Sequence, residues 1–234
     1  TPEKYPMAGM TSHKVTLGVY SLAEKSIIYL KTDSTGISDP AKKVEYLTCV
    51  TWSPDEKYIY IACLNRDQNF MQLNMFDAST GRFVKTLFEE KNDAYVEPLH
   101  SLAFLKNDPG KFIWQSRRDG FNHLYLYTGE GNLVSQITRG PWEVTQLPET
   151  FEAGNRVYFM CNKDKPIDNL LYSADIKKGT IARLTGVSGT HSAQVSDDGK
   201  FILDTYTNDT TPGGSKFLTH RGNRSGPCSR PKIR

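Results

Sequence analysis

Apolar and polar residues alternate along this chain in short runs, and the runs recur in a fixed order. Residues 46–62, 99–115, 144–161 and 191–206 share one pattern: an alternating apolar run, a short polar turn with Asp or Gly, then a second alternating run. With Trp52, Phe104, Phe151 and Val195 aligned, the spacings are 52, 47 and 44 residues. A second hairpin follows each of the first three, at 73–87, 124–138 and 171–185, and its turn glycines Gly81, Gly131 and Gly179 stand 50 and 48 apart. Period-2 alternation marks half-buried strands. Four strands per repeat of this length predict the blades of a β-propeller.

The pattern predicts sixteen strands. Two lie at 15–22 and 26–32, four each in 45–90, 100–138 and 142–185, and two more at 192–196 and 201–207. Turn chemistry separates them at Ser53-Pro54-Asp55, Asp108-Pro109-Gly110, Gly129-Glu130-Gly131 and Asp197-Asp198-Gly199. No long 3.6-residue apolar period occurs, so helices are expected to be scarce. The expected fold is all-β, a partial β-propeller of about four four-stranded antiparallel blades. Either the two end pairs combine into one blade and close a small ring, or the chain is an arc of a larger one with edges that self-associate or pair.

Charge changes the picture at one end. The formal net charge is +3, but residues 213–234 hold Lys216, Arg221, Arg224, Arg230, Lys232 and Arg234 and no acid, so the rest carries −3. The repeat region has no nucleic-acid footprint, and no nucleic-acid partner is expected. Residues 213–234 lack alternation and read as a disordered basic tail outside the fold. No apolar run approaches the roughly 20 residues of a membrane span. The chain opens at Thr1-Pro2 without Met, as expected of an excised piece. The four cysteines, Cys49, Cys63, Cys161 and Cys228, lack zinc spacing, and three lie in expected strands as small core residues. A Cys49–Cys63 cross-strand disulfide is conceivable.

Catalytic motifs are missing. Gly186-Val187-Ser188-Gly189-Thr190 begins like a nucleophile elbow and lacks its closing glycine, and there is no Walker A, H-E-x-x-H or EF-hand loop. The five histidines, His13, His100, His123, His191 and His220, fall on separate hairpins and read as satisfied polar residues at strand ends. The densest polar stretch is 115–123, with Arg117, Arg118 and Asp119 in a turn. Its preferred reading is a charged turn with Arg–Asp pairing, the alternative being contact with a ligand carboxylate. Residues 64–69 occupy the equivalent place one blade earlier, which argues for a role in shaping the turn. Glu97 and His100 lead into an innermost strand, where a carboxylate could face a channel ligand. Trp142-Glu143 begins the next blade in the same way.

In series, Tyr5-Pro6-Met7-Ala8-Gly9, Leu17-Gly18-Val19-Tyr20, Val50-Thr51-Trp52-Ser53-Pro54-Asp55, residues 64–69, Trp114 through Gly120 and Gly140-Pro141-Trp142-Glu143-Val144 resemble the N-terminal propeller of the dipeptidyl peptidase IV family, its bacterial branch most of all. The match runs to about Pro212. It implies an eight-bladed propeller joined in cis to an α/β-hydrolase domain that carries the Ser-Asp-His triad. It also implies removal of X-Pro or X-Ala dipeptides from peptide N-termini, peptide substrates, no cofactor, and a parent in the periplasm, cell envelope or outside the cell. No catalytic residue and no metal ligand is expected in this chain, and homo-oligomers are allowed. The family's paired glutamates for the substrate amino group have no counterpart here; Glu89-Glu90 stands in the wrong order. Residues 94–100 correspond to a segment that approaches the family's substrate cavity, and Glu97, His100, Arg117 and Arg118 are the cavity candidates. The competing reading is a stand-alone propeller that binds a protein or glycan.

Overall fold

The computed structural model describes Met10 and residues 13–34, 36–147, 152–153, 155–219 and 224–226. Its strands are all antiparallel to their ladder neighbours, and the helical elements among the described residues are 3-10 turns at Thr32–Ser34 and Pro40–Lys42. The chain divides into two units, Thr1–Ser101 and Leu102–Arg234.

The first unit opens with a hairpin of β1 (Gly18–Ser21) and β2 (Ser26–Tyr29), in register Gly18↔Tyr29 and Tyr20↔Ile27. A sheet of β3 (Val44–Trp52), β4 (Tyr58–Asn65), β5 (Phe70–Asp77) and β6 (Phe83–Lys91) follows in sequential order. The β-branched and aromatic run Tyr58-Ile59-Tyr60-Ile61 suits a strand buried on both faces, and β4 is buried from Ile59 to its end. Leu17, Val19 and Leu30 pack on Ile59, Ile61 and Phe76 and so seat the hairpin on this sheet. The hairpin is also tied to the β5–β6 turn, where Lys31 N donates to Gly81 O at 2.8 Å. Ladder register slips between Thr48 and Thr51, leaving a bulge with Cys49 at φ 54°.

The second unit holds three sheets. The first is β7 (Ala103–Phe104), β8 (Lys111–Ser116), β9 (His123–Thr128) and β10 (Leu133–Gln136). The second is β11 (Val144–Gln146) and β12 (Glu152–Ala153), both on β13 (Arg156–Cys161), then β14 (Leu170–Asp175) and β15 (Ile181–Arg183). The third is β16 (Thr190–Val195), β17 (Phe201–Thr207), β18 (Gly214–Thr219) and β19 (Arg224–Gly226). Consecutive sheets stack face to face. Ile113, Leu124 and Leu126 meet Val157, Phe159 and Tyr172, and Tyr158, Met160 and Leu171 meet Val195, Ile202 and Leu218. Each fully buried Phe or Leu side chain contributes on the order of 2 kcal/mol.

The blade pattern is therefore as expected, with three corrections. The end pairs do not combine: β1–β2 stays a two-stranded sheet, and the last pair gains its own third and fourth strands. Those strands lie in the segment read as a tail. Residues 214–219 pair with β17 over six positions, and Leu218 is buried. A strand at this place needs one inward apolar residue and a backbone ladder, so Gly213-Gly214 and Lys216 did not prevent it. Residues 220–223 and 227–234 lie outside the described residues, as do Phe151, Tyr5 through Gly9, His220 and Cys228. Finally, Cys49 and Cys63 are free thiols, as is Cys161. Burial pushes the Cys63 thiol up to about 11 and Cys161 to about 12, so both behave as inert core residues.

Turn chemistry yields two predictions. Gly81 and Gly179 hold the same place in their hairpins, at φ 68° and 67°. A Cβ on Gly179 would meet open space, whereas one on Gly81 would overlap the Tyr29 carbonyl oxygen. Gly179→Ala is expected to cost about 1 kcal/mol from the left-handed backbone alone, and Gly81→Ala at least about twice that. Chemical denaturation of the two variants reads the difference, and equal losses would deny the hairpin contact. In the β16–β17 turn, Lys200 N and the Ser196 hydroxyl donate to Asp198 at 3.0 and 2.8 Å and lower its carboxyl to about 2. A carboxyl held below its unfolded value near 3.9 stabilises the fold above that pH and loses the contribution as pH falls through the folded value. The stability gap between wild type and Asp198→Asn is thus expected to close as pH drops from about 4 to about 2, as read by thermal melting; a constant gap would contradict it.

Candidate functional site

Adjacent strands alternate in direction, so the connection between a sheet's second and third strands emerges at the same end as the link into the next sheet. Glu97 and His100 lie on such a link in the first unit, and Arg117 and Arg118 on a second-to-third-strand connection in the other.

The link after β6 is pinned at three points. Asn92 N donates to Asn69 O at 3.0 Å, Val96 N donates to Gln68 O at 2.7 Å, and the Cys49 thiol donates to Pro98 O at 3.3 Å. Gln68 sits at φ 54° and Val96 is buried, so backbone geometry and one apolar anchor fix the path. The pins leave Tyr95, Glu97 and Leu99 exposed to solvent. His100 is half-buried, and desolvation lowers its pKa, which disfavours the imidazolium.

Arg117 and Arg118 are neighbours in sequence but diverge in space. Arg117 Nη1 donates to Glu143 Oε1 at 2.7 Å, across to the start of the next sheet. Arg118 lies over the Tyr125 ring at 4.4 Å, with Nε on the Ser116 hydroxyl at 3.1 Å and Nη1 on the Tyr127 hydroxyl at 2.5 Å. Asp119 accepts from Gln136 Nε2 at 2.6 Å. The expected Arg–Asp pairing is thus replaced by Arg117–Glu143, because the turn sends Asp119 back over its own sheet. The turn-shaping role holds at the equivalent place as well, where Arg66 donates to the Tyr46 hydroxyl at 2.9 Å and lies 3.7 Å from Glu45.

What the sequence reading did not foresee is how these turns are tied to the segments that follow them. Glu143 also accepts from Asn122 N at 2.7 Å. Asn122 Nδ2 reaches Val144 O at 2.6 Å, while Val144 N returns a bond to Asn122 O at 2.8 Å. Asn169 repeats this with His191, its Nδ2 at 3.3 Å from His191 O and its carbonyl receiving His191 N at 2.9 Å. An Asn directly before the third strand was the available signal: Asn69, Asn122 and Asn169 all stand there. Ser188, in the partial elbow, donates to the buried Asp168 at 2.8 Å, so its partner is a carboxylate rather than an imidazole. His123 sits between the Thr138 hydroxyl at 3.0 Å and Gly140 O at 2.9 Å. His191 sits between Asp204 at 2.7 Å and Val187 O at 3.0 Å. Both rings are buried and satisfied, as the sequence reading had it.

A sequence model described as the dipeptidyl peptidase IV (DPP IV) N-terminal region matches residues 1–213. A dipeptidyl-aminopeptidase B-type protein of Talaromyces marneffei is 28% identical over an alignment of 222 residues, with 89% of this chain and 24% of its own length covered. Dipeptidyl-aminopeptidase B of Aspergillus niger is 24% identical over 222 residues, with the same 89% and 24% shares. Among solved structures, a dipeptidyl aminopeptidase IV-like protein from Bacteroides ovatus superposes with a TM-score of 0.83 at 31% identity, covering 95% of this chain and 33% of that one. Porphyromonas gingivalis dipeptidyl peptidase 4 gives a TM-score of 0.79 at 25% identity, with 97% and 31% covered. The chain spans about a quarter of these curated relatives and about a third of the solved chains.

Glu143 supports both the Arg117 ion pair and the Asn122 amide, and Arg117 only the former. Glu143→Ala is therefore expected to cost about 1–2 kcal/mol, as for hydrogen bonds to a charged group. Arg117→Ala is expected to cost about 0.5 kcal/mol or less, as for an exposed pair. Urea titration of both variants checks the ranking, and a larger loss from Arg117→Ala would reverse the assignment.

Proposed function

Because this chain belongs to the dipeptidyl peptidase IV N-terminal family, we propose that it is part of the substrate-gating propeller of a serine-type dipeptidyl peptidase whose α/β-hydrolase domain lies elsewhere in the same polypeptide. That domain cleaves after the second residue of a peptide with a free N-terminus, with proline or alanine as that residue. Its serine hydroxyl attacks the scissile carbonyl and passes its proton through histidine to the leaving amine. Water then hydrolyses the acyl-enzyme and frees the dipeptide. The observation that carries the reading is the family match over residues 1–213, and the structural likeness to Bacteroides ovatus and Porphyromonas gingivalis proteins of the same type supports it.

Within this chain the propeller's part is access and positioning. Glu97 is an exposed carboxylate on a backbone held at three points, so it meets a cationic peptide group without first being ordered. His100 stands three residues on, in a form that burial keeps neutral. Arg118, braced by Ser116 and Tyr127, and Arg117, held by Glu143, offer guanidinium faces for peptide carbonyls or carboxylates.

The purified 234-residue chain is expected to leave a Gly-Pro chromogenic substrate intact. The full-length protein is expected to cleave it and to spare the N-acetylated form. In the full-length protein, Glu97→Gln is expected to raise KM roughly tenfold with kcat nearly unchanged. A full-length protein that releases no dipeptide would refute the peptidase reading. An unchanged KM would remove Glu97 from the cavity.

A further inference from the structure

Among the described residues, four other than glycine have left-handed backbone: Lys25, Cys49, Glu56 and Gln68. Lys25, Glu56 and Gln68 lie in connections between strands, where turns ordinarily take that conformation. Cys49 lies inside β3. There the ladder pairs Thr48 with Ala62 and Thr51 with Tyr60, so Cys49 and Val50 together stand opposite Ile61. A bulge whose first residue is left-handed normally takes glycine, because a Cβ on that backbone is strained. β3 carries a cysteine there instead, at φ 54°, and a side chain retained against such strain points to a use for the side chain.

The thiol leaves the ladder and donates to Pro98 O at 3.3 Å, 49 residues on, while the Thr48 hydroxyl donates to its sulfur at 3.8 Å. Burial raises the Cys49 pKa, which keeps the group protonated and able to donate. Pro98 has no N–H, so its carbonyl is the one backbone hydrogen-bonding group it offers. Its ring also confines the residue before it, Glu97, to extended backbone. On the other side, Val96 N donates to Gln68 O at 2.7 Å and the Val96 side chain is buried. Glu97 is exposed and stands between these two bonds, each made to a left-handed residue.

We propose that Cys49 is a positioning residue for substrate binding: the β3 bulge turns its thiol onto Pro98 O and so fixes the backbone from which Glu97 meets a cationic peptide group. That role rests on the reading of Glu97 as a substrate contact. Cys49 touches no substrate itself. It removes backbone freedom from Glu97 before the peptide arrives, and a contact made from an ordered backbone loses less on binding than one that must be ordered first. A thiol is a weak donor, so its effect is smaller than that of the carboxylate it places. The effect falls on binding and leaves the chemical step alone, so it belongs in KM.

Steady-state kinetics of the full-length protein on a Gly-Pro chromogenic substrate, with amide exchange over residues 95–99 read by mass spectrometry, test it. Cys49→Gly keeps the bulge, since glycine accepts left-handed backbone, and deletes the thiol. It is expected to raise KM about threefold with kcat unchanged, to speed exchange over residues 95–99, and to leave the thermal midpoint undiminished. Cys49→Ala provides the same deletion if the glycine variant melts early. Cys49→Ser retains a donor and is expected to stay within about twofold of the wild-type KM. Combined with Glu97→Gln, Cys49→Gly is expected to add nothing, because its effect passes through that carboxylate; a general structural defect would add to the Glu97→Gln loss. Wild-type KM or wild-type exchange in Cys49→Gly, an equal loss in Cys49→Ser, or an additive double variant overturns the proposal. The two readings fail separately. Glu97→Gln with wild-type KM ends the substrate contact and the part of Cys49 in it, whereas a Glu97→Gln loss beside an unmoved Cys49→Gly ends the Cys49 assignment alone.

Discussion

Burial of the central strands on both faces is the constraint from which the rest of this structure follows. From Ile59 to Asn65 and from Phe70 to Phe76 no residue is more than marginally exposed, and β8, β9, β13 and β14 repeat that condition. A single antiparallel sheet in water can bury one face only. Strands with apolar residues on both faces therefore require a sheet above and a sheet below. The aromatic residues meet that requirement: Trp142 stacks on Phe159, and Phe159 on Tyr172, with centroids 6.3 and 6.2 Å apart. Within these layers the buried His191 and Asp204 partner each other; removing one would leave the other buried without compensation.

Stacking also decides where chemistry can be displayed. With both sheet faces committed to neighbours, side chains are free to face a ligand mainly at the strand ends. The ends that carry Glu97, His100, Arg117 and Arg118 are held by backbone bonds between a sheet and the segment leading out of it or into the next, through Gln68 and Val96 or Asn122 and Val144. Rigid scaffolding with variable connections is how such folds carry function. The membership of this chain in the dipeptidyl peptidase IV N-terminal family fits that arrangement.

Much of the fold was legible in the sequence because the rules involved are local. Alternation gives strands, and Ser53-Pro54-Asp55 and Asp197-Asp198-Gly199 give turns, since each needs only residues a few positions apart. The last sheet was half hidden, because β18 offers only Phe217 and Leu218 after Gly214, Ser215 and Lys216, only Leu218 of these is buried, and the rest of its contribution is backbone. The site was less legible still. Arg117 meets Glu143 across 26 residues, and the Cys49 thiol meets Pro98 across 49. Those separations are set by how sheets stack, which hydrophobic periodicity does not encode. The bulge that places Cys49 arises from a register slip that has no marker in residues 48–51.

The claim that stacked antiparallel sheets organise each unit is tested most directly by amide hydrogen exchange on the 234-residue protein, read by mass spectrometry. The account predicts the slowest exchange in the second and third strands of every sheet, with β17 and β18 protected alongside β4, β5, β13 and β14. Exchange of residues 201–219 at the rate of an unstructured chain, with the earlier sheets protected, would contradict it.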